Sequence, residues 1–258
     1  MPDNTKRLIQ QQFGGHAAGY VSSSTHAQGY SLSRLVELLE PLPGWRVLDV
    51  ATGGGHTALA VARRCEHVVA ADLTRPMLKA AREHIEQQGI PNIMCCQSDA
   101  EQFSFGANRY DAVVCRIAAH HFPDVAAFVR ESARVLKPGG LLALADNMTS
   151  GEARIAQFLN TFEKLRDPSH HWAYSLDDWQ TFFFTAGLTV THSEVFEKEL
   201  DFDDWAGRMG VTGDDLLRLR TLIVQSPDGP REWLKPHEIG SRLLFTLTEG
   251  IVIGRKPA

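Results

Sequence analysis

The sequence predicts an α/β fold: seven strands in a mostly parallel sheet, helices on both faces, and a last strand that runs antiparallel. Three observations carry this. Short apolar β-branched runs alternate with helix-period runs between residues 45 and 146. The stretch Val47 to Thr57 reads as a strand, a glycine turn and an immediate helix. Two further strand-like runs, 188–199 and the largely apolar 244–255, lie apart from that alternation and suit an antiparallel pair.

Taken in order, residues 3–13 have weak helical character. Phe13 to Tyr20 and then Ser22, Ser23 and Ser24 form a glycine- and serine-rich stretch with aromatic anchors, which predicts a mobile lid over residues 1–40. Tyr20 and His26 are site candidates there, with plain N-terminal packing as the alternative for each. Leu32, Leu35, Val36, Leu38 and Leu39 share helical spacing, and Pro41 to Gly44 ends that helix. The alternation then runs strand 45–50, helix 56–64, strand 67–72, helix 75–88, strand 91–97, strand 110–115, helix 124–136, strand 140–146. Pro76 near the start of its helix and Gly89 after its end fit the usual asymmetry of helix termini.

Beyond residue 150, two helices are expected at 152–166 and 175–186, the second opened by the capping-box pattern Ser175 to Asp178. A histidine-rich loop, Asp167 to Trp172, joins them. Residues 202–240 read as a helical insertion before the last strand, with Phe202, Trp205 and Met209 on one face and Thr212 capping a second helix. These cap elements, at about 151–186 and 202–240, serve either as a lid on the acceptor side or as a homodimer contact.

The chain's 258 residues suffice for one large domain, here 41–258, behind the N-terminal segment. With 26 basic against 31 acidic residues the net charge is −5, and no long basic run appears, so nucleic acid is not an expected partner. No apolar run approaches the roughly 18 to 20 residues of a membrane span, and the polar Met1 to Gln12 lacks a signal-peptide core. A cytoplasmic protein is expected. Cys65, Cys95, Cys96 and Cys115 show no C-x-x-C spacing and read as reduced thiols.

The glycine turn implies a ligand, because glycine allows close backbone approach and the following helix start offers free N–H donors. Gly53-x-Gly55-x-x-Ala58 also fits a dinucleotide fingerprint. Asp49 argues against a pyrophosphate: an acid before the loop repels phosphate and suits a cationic, amino-acid-like group. Asp72, at the end of the second strand, stands where a carboxylate can take ribose hydroxyls. Together they suggest a positively charged nucleoside.

In that order these signals resemble the class I S-adenosylmethionine-dependent methyltransferases. Asp49 with Gly53 and Gly55 looks like their first motif, Asp72 and Leu73 their second, Ser98 to Ala100 their third, and Leu136 to Gly140 the turn before their fifth strand. Within the superfamily the chain resembles the branch holding the ubiquinone and menaquinone C-methyltransferases, strongly over the first 150 residues. The resemblance implies a Rossmann-like fold, S-adenosyl-L-methionine as cofactor and a small-molecule acceptor. It also implies an N-terminal cover bearing Tyr20, and cofactor contacts at Ala51, Thr52, Leu73 and Met77. Asp99 would accept from the adenine amino group beside Ala100, a helix N-cap being the alternative for Asp99. Arg116 would hold the methionine carboxylate. Ala51 stands where the family usually has glycine, a change tolerable if φ stays negative.

The segment after the fourth strand, Cys115 to Asp124, leaves the sheet beside the expected methyl donor. His120 and His121 bring groups that titrate near neutrality to that place, and His170 and His171 lie in the later loop. Any of the four can serve as a base for C- or O-methylation of a hydroxylated aromatic or quinone-like acceptor; a structural histidine bonded to a carbonyl is the alternative. Adjacent histidines in extended chain point apart, and none has i, i+4 helical spacing, so no metal site is expected. The rival readings are a dinucleotide-dependent oxidoreductase and a cofactor-binding subunit without catalysis.

Overall fold

The computed structural model describes residues 2–22 and 29–258, the side chains of residues 2–4 and 16–22 apart. Its sheet has the strand order β3-β2-β1-β4-β5-β8-β6. The strands are β1 (Arg46–Val50), β2 (His67–Asp72), β3 (Ile93–Gln97), β4 (Tyr110–Arg116), β5 (Leu136–Met148), β6 (Thr189–Asp201) and β8 (Arg242–Arg255). The first five run parallel, and β8 lies antiparallel between β5 and β6. An eighth strand, β7 (His237–Ile239), pairs with the start of β8. It ends the segment expected to be helical up to residue 240; three residues are too few for periodicity to reveal.

Alternation along each strand builds two cores, because successive side chains point to opposite faces. On one face Val47, Val68, Val114 and Ala143 pack under α2 (Tyr30–Leu39) and α3 (His56–Ala62). On the other, Leu48, Val69, Val113 and Leu142 meet α5 (Val125–Val135) and α7 (Leu176–Thr185) through Phe128, Trp179 and Phe183. The capping box at Ser175 and Asp178 forms as its sequence pattern requires. Helix α4 (Arg75–Gln87) packs on α3 through Ala81 and Ile85.

A third cluster lies beyond the sheet's end. Phe162 of α6 (Ala153–Arg166) stacks on Trp205 of α8 (Phe202–Gly207), and Leu219 and Ile223 of α9 (Gly213–Val224) and Leu234 of α10 (Asp228–Leu234) close around them against Phe245. Thr212 precedes α9 but makes no side-chain cap, contrary to its motif.

The N-terminus differs from expectation. Helix α1 (Pro2–Ser22) is continuous through Gly14 and Gly15, where a glycine-rich lid segment was expected. It packs against α4, and Gly14 sits where an added Cβ would meet the Pro76 ring at 3.6 Å. Tertiary contact overrides the poor helix propensity of paired glycines. The Tyr20 side chain and all of His26 lie outside the described residues. Among the described residues no helix is long and apolar enough to cross a membrane.

Candidate active site

Strand order reverses between β1 and β4, and open α/β sheets bind ligands in the crevice at that point, outside the carboxyl ends of the strands. One crevice opens there, with about 930 Å³ of empty space including its mouth. The turns after β1, β2, β3 and β4 line it: Ala51 to Gly54, Asp72 to Thr74, Ser98 to Glu101 and Arg116 to Ala118. Met77 and His56 complete its floor, and His121, Phe122 and Pro123 its far side. From α1, Lys6, Ile9 and Phe13 face into it at i, i+3 and i+7, one helical stripe.

The first turn is held from behind. Thr52 Oγ1 donates to Asp49 Oδ2 at 2.6 Å, Thr52 N–H donates to the Ala71 carbonyl, and His84 Nδ1 bonds the Gly54 carbonyl at 2.7 Å. Asp49 does not line the crevice; expected to meet the ligand directly, it stands behind Thr52, 1% exposed. Burial pushes its carboxyl up to about 7 against the opposing pull of Thr52 and Arg116. Gly55 is also behind the wall: its φ is +83°, and an added Cβ would stand 3.3 Å from Ile85 Cδ1. Gly53 has φ +54° and open space where a Cβ would go.

Ala51 overturns one expectation. Its φ is +53°, the left-handed region, and not negative as its methyl group favours. The turn imposes the same backbone on alanine that it imposes on glycine. Ile117, on the facing strand end, also has positive φ, +51°, an outlier for a β-branched residue.

Asp72 lines the crevice and accepts from the Gly53 N–H at 3.1 Å and the Thr74 N–H at 2.8 Å. Burial raises its carboxyl above the usual range. Asp99 forms no helix cap; it accepts from Glu101 N–H at 3.0 Å and from Lys6 Nζ at 2.6 Å. Glu101 accepts from Lys6 Nζ at 2.5 Å and from the Asp124 N–H at 2.6 Å, tying α1 and the segment after β4 to the turn after β3. Burial opposes the Lys6 charge, and the two carboxylates more than offset it. Arg116 is half-buried, its Nε donating to Thr57 Oγ1 at 3.2 Å; desolvation lowers it from the ordinary guanidinium range.

The histidines occupy unequal places. Ala119–His121 is a 3-10 turn, not extended chain, so the imidazoles of His120 and His121 stand side by side. His120 receives Asp146 twice: its N–H and its Nδ1 bond the two carboxylate oxygens at 2.9 and 2.6 Å. His121 is the histidine among the four candidates that lines the crevice; Phe13 meets its ring edge-on at 4.8 Å. His170 is buried with Nε2 on Asn160 Oδ1 at 2.8 Å, and desolvation drives its pKa well down. His171 is half-buried, also lowered by burial, and lies off the crevice. Sequence reasoning missed the stripe of Lys6 and Ile9, visible as helical spacing, and the Glu101 bridge, for which local sequence carries no signal.

A family model described as "Methyltransferase domain" matches residues 48–144. The Bacillus subtilis protein YcgJ, described as an uncharacterized methyltransferase, is 32% identical over 246 residues, 95% of this chain and 97% of its own. The chain belongs to the S-adenosylmethionine-dependent methyltransferase family. A solved structure, that of the methyltransferase-type protein BH2331 of Bacillus halodurans C-125, superposes with a TM-score of 0.85 at 40% identity, covering 89% of this chain and all of that one. A ubiquinone biosynthesis O-methyltransferase from Xylella fastidiosa is 41% identical over 102 residues, 40% of this chain and 42% of its own. In this methyltransferase the sequence-expected residues Ala51, Thr52, Gly53, Asp72, Leu73, Met77, Asp99, Ala100, Arg116 and His121 converge on one crevice. Asp49, Gly55, His120, His170 and His171 stand outside its lining.

Proposed function

We propose that this methyltransferase binds S-adenosyl-L-methionine in the crevice and passes its methyl group to a small hydroxylated acceptor, aromatic or quinone-like, at the His121 end. One observation carries the reading: acidic and glycine turns occupy one end of a single crevice, and a neutral imidazole framed by apolar rings occupies the other. The donor end fits the cofactor's chemistry. Gly53 leaves open space where a side chain would intrude, and Asp72, Asp99 and Ala100 line the crevice, in this reading Asp72 toward the ribose hydroxyls and Asp99 with Ala100 toward the adenine edge. Arg116 is the cation suited to the methionine carboxylate, with Asp49 setting the turn through Thr52.

When bound, S-adenosylmethionine supplies a methyl already activated on a sulfonium, so the protein's task is alignment and, for a hydroxyl acceptor, removal of a proton. His121 is suited to take it. Its Nδ1–H is committed to the Ser169 carbonyl at 3.1 Å, which leaves the lone pair on Nε2. Burial, and then the charge of His120, lower it to about 4, so it is unprotonated at neutral pH. Phe13, Ile117, Ala118 and Phe122 offer an apolar surface for a ring. The partial likeness to a ubiquinone biosynthesis O-methyltransferase supports an acceptor of that type.

Calorimetry with S-adenosylhomocysteine against NAD(H) tests the donor, and binding of NAD(H) alone would overturn it. Incubation with methyl-labelled donor and a metabolite extract tests the acceptor: one compound is expected to gain a labelled methyl, and label on no small molecule would overturn the assignment.

A further inference from the structure

The loop after α6 holds a carboxylate whose placement the donor site does not explain. Asp167 is 3% exposed and Ser169 1%. Asp167 Oδ1 accepts from Ser169 N–H at 2.9 Å and from Ser169 Oγ at 2.5 Å. Ser169 in turn presents its carbonyl to His121 Nδ1 at 3.1 Å and its hydroxyl oxygen at 3.3 Å. The loop is fastened to the histidine turn by two further bonds, from the N–H groups of His171 and Trp172 to the His120 carbonyl. The other carboxylate oxygen, Oδ2, takes no hydrogen bond among the described residues and lies 4.0 Å from His121 Nε2.

A carboxylate oxygen beside an imidazole lone pair is mutually unfavourable while the ring is neutral. It becomes favourable when Nε2 carries a proton. The arrangement therefore complements imidazolium better than imidazole, which is how differential binding favours a proton-transfer transition state. From this geometry we propose that Asp167, oriented by Ser169, is a positioning residue that receives the charge formed when His121 takes the acceptor's proton. The inference rests on His121 acting as base. As the acceptor oxygen bonds to the methyl carbon, its proton moves to Nε2, the carbon–sulfur bond breaks with its electron pair staying on sulfur, and the new N–H faces Oδ2.

The groups that face His121 are His120 on its own turn, Asp146 from β5, and Asp167 and His170 from the loop, with Glu163 and Lys164 on α6 behind them. Asp167→Asn keeps an acceptor for Ser169 while removing the charge. Nitrogen NMR of the histidines in the cofactor-free protein is expected to show His121 protonating at lower pH in this variant than in the parent, with Asp167→Glu restoring it. With the acceptor identified, turnover is expected to fall about 10- to 100-fold with unchanged S-adenosylhomocysteine affinity, and no further fall is expected when Asp167→Asn is added to His121→Asn. An unmoved His121 titration in a folded Asp167→Asn protein, judged by its melting curve, overturns the inference. So does unchanged titration in Ser169→Ala should the first variant not fold. Full turnover in His121→Asn overturns the base reading instead, which the cofactor-free titration does not share.

Discussion

His120 and His121 stand with ring centroids 4.2 Å apart, and their surroundings shift their titrations in opposite directions. Burial works against charge on both. For His120 the Asp146 carboxylate more than offsets burial and raises it; for His121 the neighbouring His120 charge adds to burial and lowers it to about 4. Paired groups whose surroundings push their titrations apart divide the roles of proton holder and proton acceptor.

His121→Asn is expected to cut methyl transfer by about 10²- to 10⁴-fold, the range for loss of a general base, while calorimetry shows S-adenosylhomocysteine binding retained. His171→Asn, off the crevice, is expected to turn over as the parent does. Equal rates in all variants would remove the base.

As the proposed base, His121 would act when neutral, so turnover is expected to hold at neutral pH and fall as pH drops through about 4. Asp146→Asn removes the carboxylate that favours charge on His120. The repulsion on His121 then eases, and the acid limb is expected to move upward. A limb that stays or moves downward contradicts the coupling.

Stability follows the same groups. His121 and His170 are lowered in the fold, so their contribution is present above the unfolded imidazole value and lost as pH falls toward their folded values. Asp49, raised to about 7, acts oppositely: its contribution is present below the usual carboxylate value and lost as pH rises through about 7. Asp49→Asn is therefore expected to gain melting temperature over the parent at pH 8 more than at pH 5, with weaker donor binding because Thr52 loses a charged partner.

Ala51→Gly is expected to stabilise by about 1 kcal/mol, since alanine at φ +53° carries the left-handed penalty. At this chain length that is roughly 2–4 °C in melting temperature. Gly53→Ala is expected to do the reverse and to weaken S-adenosylhomocysteine binding, because its Cβ enters the crevice.

Most of the sheet was legible because its strands are buried on both faces and bounded by turns, as Val47 to Val50 and Val68 to Asp72 show. The turns that line the crevice were legible for a related reason: strand ends of a doubly wound sheet converge on one edge, and Gly53, Asp72 and Asp99 stand there. Residue identity did not report the backbone of Ala51, which the turn dictates. Nor could spacing reveal that Asp49 faces inward, or that Asp167 and Ser169 reach His121 across 46 and 48 positions of sequence. The helix at Gly14 is a packing outcome, set by α4 and invisible to local propensity.

Glu101 serves two masters: its oxygens take Lys6 from one rim of the crevice and the Asp124 amide from the other. A single side chain therefore latches both banks of the entrance. Separating either bank from the turn after β3 therefore breaks a charge-assisted contact at this one carboxylate, so Glu101 sets the cost of widening the entrance on both sides.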